Sequence, residues 1–223
     1  MRVSVLAFIC LCLALHTGAH TPPCRPALPL AGGFSVLQLN ENIWGIFGKY
    51  NYDAAGERLR FFEIGTHTNQ TLQVDILMLF KEGTMYEINW KNLSCKKEAL
   101  GTAFQPAEIP LNARHLGQLT IGMASSPGQS LVANSWGGQV KELQVKYITS
   151  VTEPGCLPVS NLYHTKETGW MIASFNSHTV MEDLEVFSPP AFCQTAELTN
   201  RTSNFITVFS KDHSTYGLNL SFD

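Results

Sequence analysis

The chain has 223 residues, with 15 lysines and arginines against 18 aspartates and glutamates, for a formal charge of −3 with neutral histidines. That balance excludes the basic stripe with which a nucleic-acid binder neutralises phosphates, and no polybasic cluster marks a membrane-surface helix. Charged residues are only 15% of the chain while hydrophobic ones are 44%, so the surface is short of charges, which glycans or a buried apolar cavity would each help explain.

The N-terminus sets the expected compartment. Arg2 gives a positive start, Val3 to Leu15 is an apolar run too short to span a bilayer, and Thr17-Gly18-Ala19 puts small residues where a signal peptidase needs them. Residues 1–19 are therefore read as a removed signal peptide, which takes Arg2, Cys10 and Cys12 with it. No later apolar stretch reaches membrane-spanning length, so the mature protein is expected to be soluble and secreted. No Ser/Gly-rich linker or charge block divides the remainder, which reads as one β domain over 20–193 followed by a partly ordered tail, 194–223.

Four cysteines stay in the mature chain: Cys24, Cys95, Cys156 and Cys193. An even count without metal-ligand spacing reads as two long-range disulfides, for which three connectivities are open. Asn-x-Ser/Thr sequons stand at Asn69, Asn92, Asn200 and Asn219, and Asn69 and Asn92 lie beside expected strand ends, where a sugar projects into water.

In chain order, the turn-rich Asp53-Ala54-Ala55-Gly56 precedes an alternating stretch, Arg58 to Ile64. Thr71 to Phe80 is the clearest strand, since Leu72, Val74, Ile76, Met78 and Phe80 fall on one face at period two. Its other face ends with Leu77 and Leu79, which predicts cover on both sides. Lys81-Glu82-Gly83 reads as a three-residue hairpin loop, returning into Thr84 to Trp90 with Tyr86, Ile88 and Trp90 on one face. Further strands are expected at Leu116 to Ile121, Ser130 to Trp136, Val140 to Ile148, Asn161 to Thr165, Trp170 to Phe175 and Thr179 to Phe187. Short helical turns are expected near Asn112 to Gly117 or after Cys193. No longer segment carries a helical stripe. The fold class is all-β and mainly antiparallel, as a barrel or a curved two-sheet sandwich.

Motifs for chemistry are scarce. His20, His67, His115, His164, His178 and His213 are isolated, whereas a zinc hydrolase needs two histidines one helical turn apart. Gly-x-Ser-x-Gly, a phosphate-cradling glycine loop and the dinucleotide fingerprint are absent from the sequence, which reads as a binding protein and not an enzyme. Oxygen ligands for calcium could gather at Glu182-Asp183 with Glu185, or in the Asp53 to Glu57 turn. Neither has EF-hand spacing, and both read more simply as solvated turns. More telling are the large apolar residues of the strands. Phe62, Val74, Ile76, Met78 and Phe80 in the first strands, Tyr86, Ile88 and Trp90 in the next, and Trp136, Tyr147 and Phe175 further on are the expected lining of an apolar ligand pocket.

Several blocks resemble the ependymin family. They are Pro23-Cys24-Arg25-Pro26, Phe80-Lys81-Glu82-Gly83-Thr84-Met85-Tyr86-Glu87-Ile88-Asn89 continuing to Asn92-Leu93-Ser94-Cys95-Lys96-Lys97-Glu98, Glu108-Ile109-Pro110, Gly155-Cys156-Leu157-Pro158-Val159, and Val186-Phe187-Ser188-Pro189-Pro190-Ala191-Phe192-Cys193. The resemblance implies a secreted glycoprotein, found around nervous tissue for the fish members and in lysosomes for related proteins. It also implies a half-open antiparallel barrel similar to bacterial lipoprotein carriers, an apolar pocket for a lipid-like molecule, and homodimers. Calcium binding and cell-matrix adhesion are implied too, and the pairing Cys24–Cys156 with Cys95–Cys193. The chain lacks an additional cysteine pair that some relatives carry, and its residues after Cys193 match the family poorly.

Overall fold

The structure is a computed structural model that describes residues 23–39, 44–67, 70–125, 128–141, 144–166 and 169–203. Twelve strands run β1 (Leu30–Leu39), β2 (Trp44–Asp53), β3 (Arg58–His67), β4 (Gln70–Leu79), β5 (Thr84–Asn89), β6 (Ser94–Leu100), β7 (Arg114–Gly122), β8 (Ser130–Val140), β9 (Val145–Glu153), β10 (Pro158–Thr165), β11 (Gly169–Val180) and β12 (Leu198–Ser203). They form a single sheet in the order β12-β6-β5-β4-β3-β2-β1-β11-β10-β9-β8-β7. The all-β, mainly antiparallel expectation holds, as one open curved sheet and not two stacked ones.

The order follows from two meanders. Strands β1 to β6 pair with their neighbours in sequence, β7 to β11 do likewise, and β1 joins β11 antiparallel. Sequential hairpins are the shortest connections available, so one long crossing suffices, from β6 at one side to β7 at the other. Tail residues 198–203 add β12, which pairs with β6 in parallel.

Register assigns each residue to a face, because directly opposed residues point the same way. One face, here the inner one, carries Leu30, Phe34 and Val36 of β1, Ile46, Tyr50 and Tyr52 of β2, Phe61 of β3 and Met171 and Ala173 of β11 in one buried cluster. Ile76, Met78 and Met85 continue it toward β5, while Trp136 and Val151 continue it toward β8 and β9. Two glycines make room for rings there. A Cβ on Gly48 would lie 2.8 Å from the Phe34 ring, its partner across the β1–β2 ladder, and one on Gly138 would lie 2.6 Å from the Tyr147 hydroxyl.

The crossing segment between β6 and β7 lies against this inner face. Phe104 stacks on Tyr52 at 6.0 Å and meets Phe80 edge-on at 5.2 Å. Ala107 N–H donates to the Tyr52 hydroxyl at 2.9 Å, Ile109 packs with Trp136, Val151 and Cys156, and Ile109 N–H donates to the Cys24 carbonyl. The opposite, outer face of β3 to β6 is covered by the strap that follows β11, which contains 3-10 turns at Glu185–Phe187 and Ala191–Cys193. Phe187 and Cys193 pack there on Leu77, Leu79, Tyr86 and Ile88. Strand β4 is therefore sandwiched, with Leu77 and Met78 fully buried on opposite faces, as its doubly apolar second half suggests.

Differences from the sequence reading have local causes. Val140 to Ile148 is interrupted by the β8–β9 turn, because strand β9 starts only at Val145. Residues 181–187 are strap and not strand, since their apolar residues are buried against the strap's own side of the sheet. Residues Asn112 to Gly117 are a turn leading into β7 and not a helical one, although a 3-10 turn does end at Cys193.

Candidate ligand-binding face

The residues expected to line one pocket are divided between the two faces. Ile76 and Met78 are buried on the inner face, with Phe80 packed beside them against Phe104, and Trp136, Tyr147 and Phe175 stand on the same face across β8, β9 and β11. Val74 opposes Glu63 in the inner register, its side chain lying outside the described residues. Phe62 opposes Asp75 and Lys49 on the outer face. Tyr86, Ile88 and Trp90 are also outer, beneath or beside the strap, where Trp90 meets Phe192 edge-on at 5.3 Å. They cannot share a pocket with Ile76 and Met78.

Hairpin geometry explains the correction. The sequence suggests a loop of Lys81-Glu82-Gly83, but the ladder closes at Leu79–Thr84, so Phe80 joins the loop as a fourth residue. Gly83 takes φ +62°, the left-handed conformation that its position needs. One extra loop residue slips the register by one and sends Tyr86 and Ile88 to the face opposite Ile76 and Met78.

Exposure is uneven along the inner face. Its β1 to β5 part is buried, whereas Tyr147, Thr149, Asn161, Tyr163 and Phe175, on β9 to β11, are half-buried. Thr149 donates to Asn161 Oδ1 at 2.5 Å. Burial pushes the Tyr163 hydroxyl up to about 12 and raises that of Tyr147, so both remain protonated donors at any physiological pH. At the β7–β8 end His115 lies tilted on Trp136 at 4.8 Å and contacts Asn134 Oδ1 at 3.2 Å. Asn134 and Gln118 donate to Glu153 Oε2 at 2.5 and 2.9 Å. Tyr163, Thr149 and Asn161 were absent from the sequence expectation, because their moderate hydrophobicity gives no signal until the register puts them beside Trp136 and Tyr147.

A second polar pair sits where β11 bends. Tyr50, its hydroxyl pushed up to about 12 by burial, lies 2.6 Å from His178 Nδ1. Burial lowers the His178 pKa below its ordinary value of 6.5, with a hydrogen bond to the Pro158 backbone acting the other way. The unfolded chain therefore takes up a proton first, and this pair loses stability as pH falls below about 6.5 and through the lowered folded value. Replacing His178 by asparagine is expected to shrink the drop in thermal midpoint between pH 7 and pH 5. An equal drop in both proteins would show that the pair does not titrate in this way.

Among the described residues, no three histidine, cysteine, aspartate or glutamate side chains gather as a metal site. Asp53 is committed to its own turn, accepting from Gly56 N–H at 3.0 Å and from Arg58 Nε at 3.0 Å. Burial alone would raise its pKa, but these hydrogen bonds and the Arg58 charge hold it below the ordinary carboxylate value. Asp183 accepts from Glu185 N–H at 2.8 Å, and Glu182, Asp183 and Glu185 are all exposed, as solvated turns would be.

Cys24 is bonded to Cys156, with Cα atoms 5.8 Å apart, and Cys95 to Cys193, at 5.2 Å. Asn92 is exposed in the β5–β6 turn, where its Oδ1 accepts from Ser94 Oγ at 2.6 Å. Asn200 falls in β12, its side chain outside the described residues, as are Asn69 and Asn219 altogether.

Comparison with known proteins finds the Ependymin family model matching residues 68–193. Ependymin-2 of Carassius auratus is 34% identical over 194 residues, which is 87% of this chain and 90% of that protein. Ependymin of Esox lucius is 33% identical, over 91% of this chain and 95% of its own. Among solved structures, an uncharacterized conserved protein from Thermus thermophilus overlaps 78% of this chain and 91% of that one at a TM-score of 0.48 and 8% identity. A LolA superfamily protein from Nitrosomonas europaea overlaps 74% of this chain and 91% of its own at a TM-score of 0.37, also with 8% identity.

Proposed function

Because the chain belongs to the ependymin family, we propose that it is a secreted glycoprotein that carries hydrophobic, lipid-like molecules on the inner face of its sheet. The observation that carries this reading is one apolar face continuing in register from β5 to β8, with aromatic residues still half-buried at its β9 to β11 part. Apolar area removed from water stabilises by about 25 cal/mol per Å2, so a half-buried aromatic wall favours an acyl chain that covers it. The protein binds and does no chemistry on its cargo. Among the described residues no helix is long and apolar enough to cross a membrane. The test is native mass spectrometry and lipid extraction of protein purified from medium, with titration of a fluorescent fatty-acid probe. Neither co-purified lipid nor saturable probe uptake would sink the reading.

Glycans at Asn92, Asn69, Asn200 and Asn219 are part of the same proposal, and enzymatic deglycosylation followed by mass measurement tests each one. Calcium binding, matrix adhesion and lysosomal residence rest on family resemblance alone, with no ligand set among the described residues to support them.

A homodimer has support from the outer face. Leu119, Ile121, Leu131 and Ile148 are each about two-fifths exposed there, on neighbouring strands that end at the β7 edge. An apolar patch beside a strand edge that has no partner among the described residues invites a second copy. Sedimentation of the wild type as a dimer is expected, with Leu131→Arg shifted to monomer at unchanged thermal midpoint. A variant that sediments as the wild type does would remove this face from the interface.

A further inference from the structure

The crossing segment from β6 to β7 lies on the inner face without belonging to the sheet. Its start is fixed by Leu100 N–H, which donates to the Gly83 carbonyl at 2.9 Å. Its far end is fixed by Ile109, 5% exposed among Trp136, Val151 and Cys156, with its N–H on the Cys24 carbonyl. Residues 101–108 between these anchors form neither strand nor helix. Thr102 and Phe104 are half-buried and the others exposed, so this stretch is a single layer of chain with water on its outer side.

Its hold on the sheet is slight. Among the described residues, the hydrogen bond that ties it to a strand is Ala107 N–H to the Tyr52 hydroxyl, at 2.9 Å. Phe104 supplies the rest, stacked on Tyr52 at 6.0 Å and edge-on to Phe80 at 5.2 Å. Thr102 Oγ1 works against it, because that hydroxyl is buried without a partner and regains water when the segment lifts. A stretch held in this way opens at much lower free energy than the hydrogen-bonded ladders beside it.

Beneath it is the apolar cluster of β1 to β3, where Leu30, Phe34, Tyr50, Tyr52 and Phe61 are 3 to 6% exposed. An acyl chain gains nothing from apolar surface that is already covered, so to use this cluster it must replace a side chain packed there. Of the partly buried residues around the cluster, Leu59, Tyr163 and Phe175 stand on strands, and Leu157 follows the disulfide-bonded Cys156. Phe104 is the one that can withdraw without breaking a ladder or a staple.

We propose that residues 101–108 are a flap latched by Tyr52, and that the Phe104 ring keeps the place of an acyl chain end between Tyr52 and Phe80. Binding lifts the flap between its anchors at Leu100 and Ile109 and exchanges the ring for the chain. The inference rests on the carrier reading and adds how that site opens. It concerns the chain end alone and is indifferent to the charge of the head.

Ring and chain compete for one place, so weakening the latch raises the fraction of protein that is open and tightens binding by the same factor. The experiment is stopped-flow mixing of the full-length secreted protein with a fluorescent stearoyl-length fatty-acid probe, together with amide exchange of the protein alone. Tyr52→Phe keeps the ring and removes the latch. It is expected to speed association about three- to tenfold, the scale of one hydrogen bond, to leave dissociation unchanged, and so to lower Kd by that factor. Phe104→Ala, which removes the competing ring, is expected to lower Kd as well, despite a fall in thermal midpoint. Wild-type amides within 101–108 should exchange at least about tenfold faster than those of β5 and β6. Weaker binding in both variants would make the segment a wall of the site and overturn the flap. Unchanged association in both, or exchange at 101–108 as slow as in β5, overturns it equally and leaves the carrier reading standing. No saturable probe uptake by any of the three proteins overturns both.

Discussion

Replacing Asp75 by alanine is expected to cost about 3–5 kcal/mol of folding stability and to lower the thermal midpoint by on the order of 10 °C. Asp75 is 1% exposed on β4 and accepts from Arg60 Nε at 2.8 Å and from Arg60 Nη2 at 2.5 Å, a bidentate fork, with the Arg60 side chain only 11% exposed. Trp90 Nε1 donates to the same carboxylate at 2.7 Å. Removing the carboxylate strands a guanidinium on the outer face between sheet and strap, where water cannot replace all of what it loses. Trp90 contributes less to the loss, because it is 43% exposed and its indole can turn to solvent.

Arg60 also reaches the strap, its Nη1 donating to the Val186 carbonyl at 2.5 Å. The Asp75→Ala protein should therefore show faster amide exchange at residues 185–193 than its stability change predicts for the whole sheet. Asp75→Leu combined with Arg60→Leu should recover much of the loss, since the pair's value lies in mutual satisfaction and not in charge as such. Urea unfolding with an unchanged slope measures both. An Asp75→Ala protein within about 1 kcal/mol of wild type would mean that the fork is solvated and holds nothing.

These contacts mark where the sequence stops being informative. Alternation alone exposes β3, β4 and β5, because apolar residues recur at period two along each of them, whichever face they come to occupy. Asp75 looks like an ordinary outward polar residue in that pattern, and nothing local says that Arg60, 15 residues earlier, will meet it. Strands β1 and β2 escape notice for a different reason. Gly32, Gly33, Gly45 and Gly48 interrupt their periodicity, yet on the inner face glycine opposite Phe34 or Tyr50 is what lets a large ring lie flat across the neighbouring strand. A pattern reader counts those positions as turn signals.

The expected pocket shows the same boundary more sharply. Each strand's own alternation is read correctly, but whether two strands present their apolar sets to one face depends on loop length. The inclusion of Phe80 in the β4–β5 loop decides that, and it moves Tyr86, Ile88 and Trp90 out of the site. Conversely, Tyr163, Thr149 and Asn161 enter because β10 lies between β9 and β11, an order no single strand encodes.

The two disulfides are expected to differ in what their loss does to binding. Each closes a long loop, with sequence separations of 132 for Cys24–Cys156 and 98 for Cys95–Cys193, so chain entropy predicts similar costs for serine pairs, between about 2 and 5 kcal/mol each. Their surroundings are not alike. Cys95–Cys193 ties the strap to β6 on the outer face, beside Tyr86 and Ile88. Cys24–Cys156 sits in the cluster of Ile109, Trp136 and Val151, and the Cys24 carbonyl accepts from Ile109 N–H, so it holds the crossing segment against the inner face at the end where Trp136 stands. The Cys24→Ser, Cys156→Ser protein should consequently lose affinity for a fluorescent acyl probe by several-fold at a temperature where it is still folded. The Cys95→Ser, Cys193→Ser protein should keep wild-type affinity under the same conditions, despite a comparable fall in midpoint. Equal losses of affinity in both would show that binding follows global stability. A loss confined to the strap variant would place the ligand on the outer face, and the inner-face assignment would then have to be abandoned.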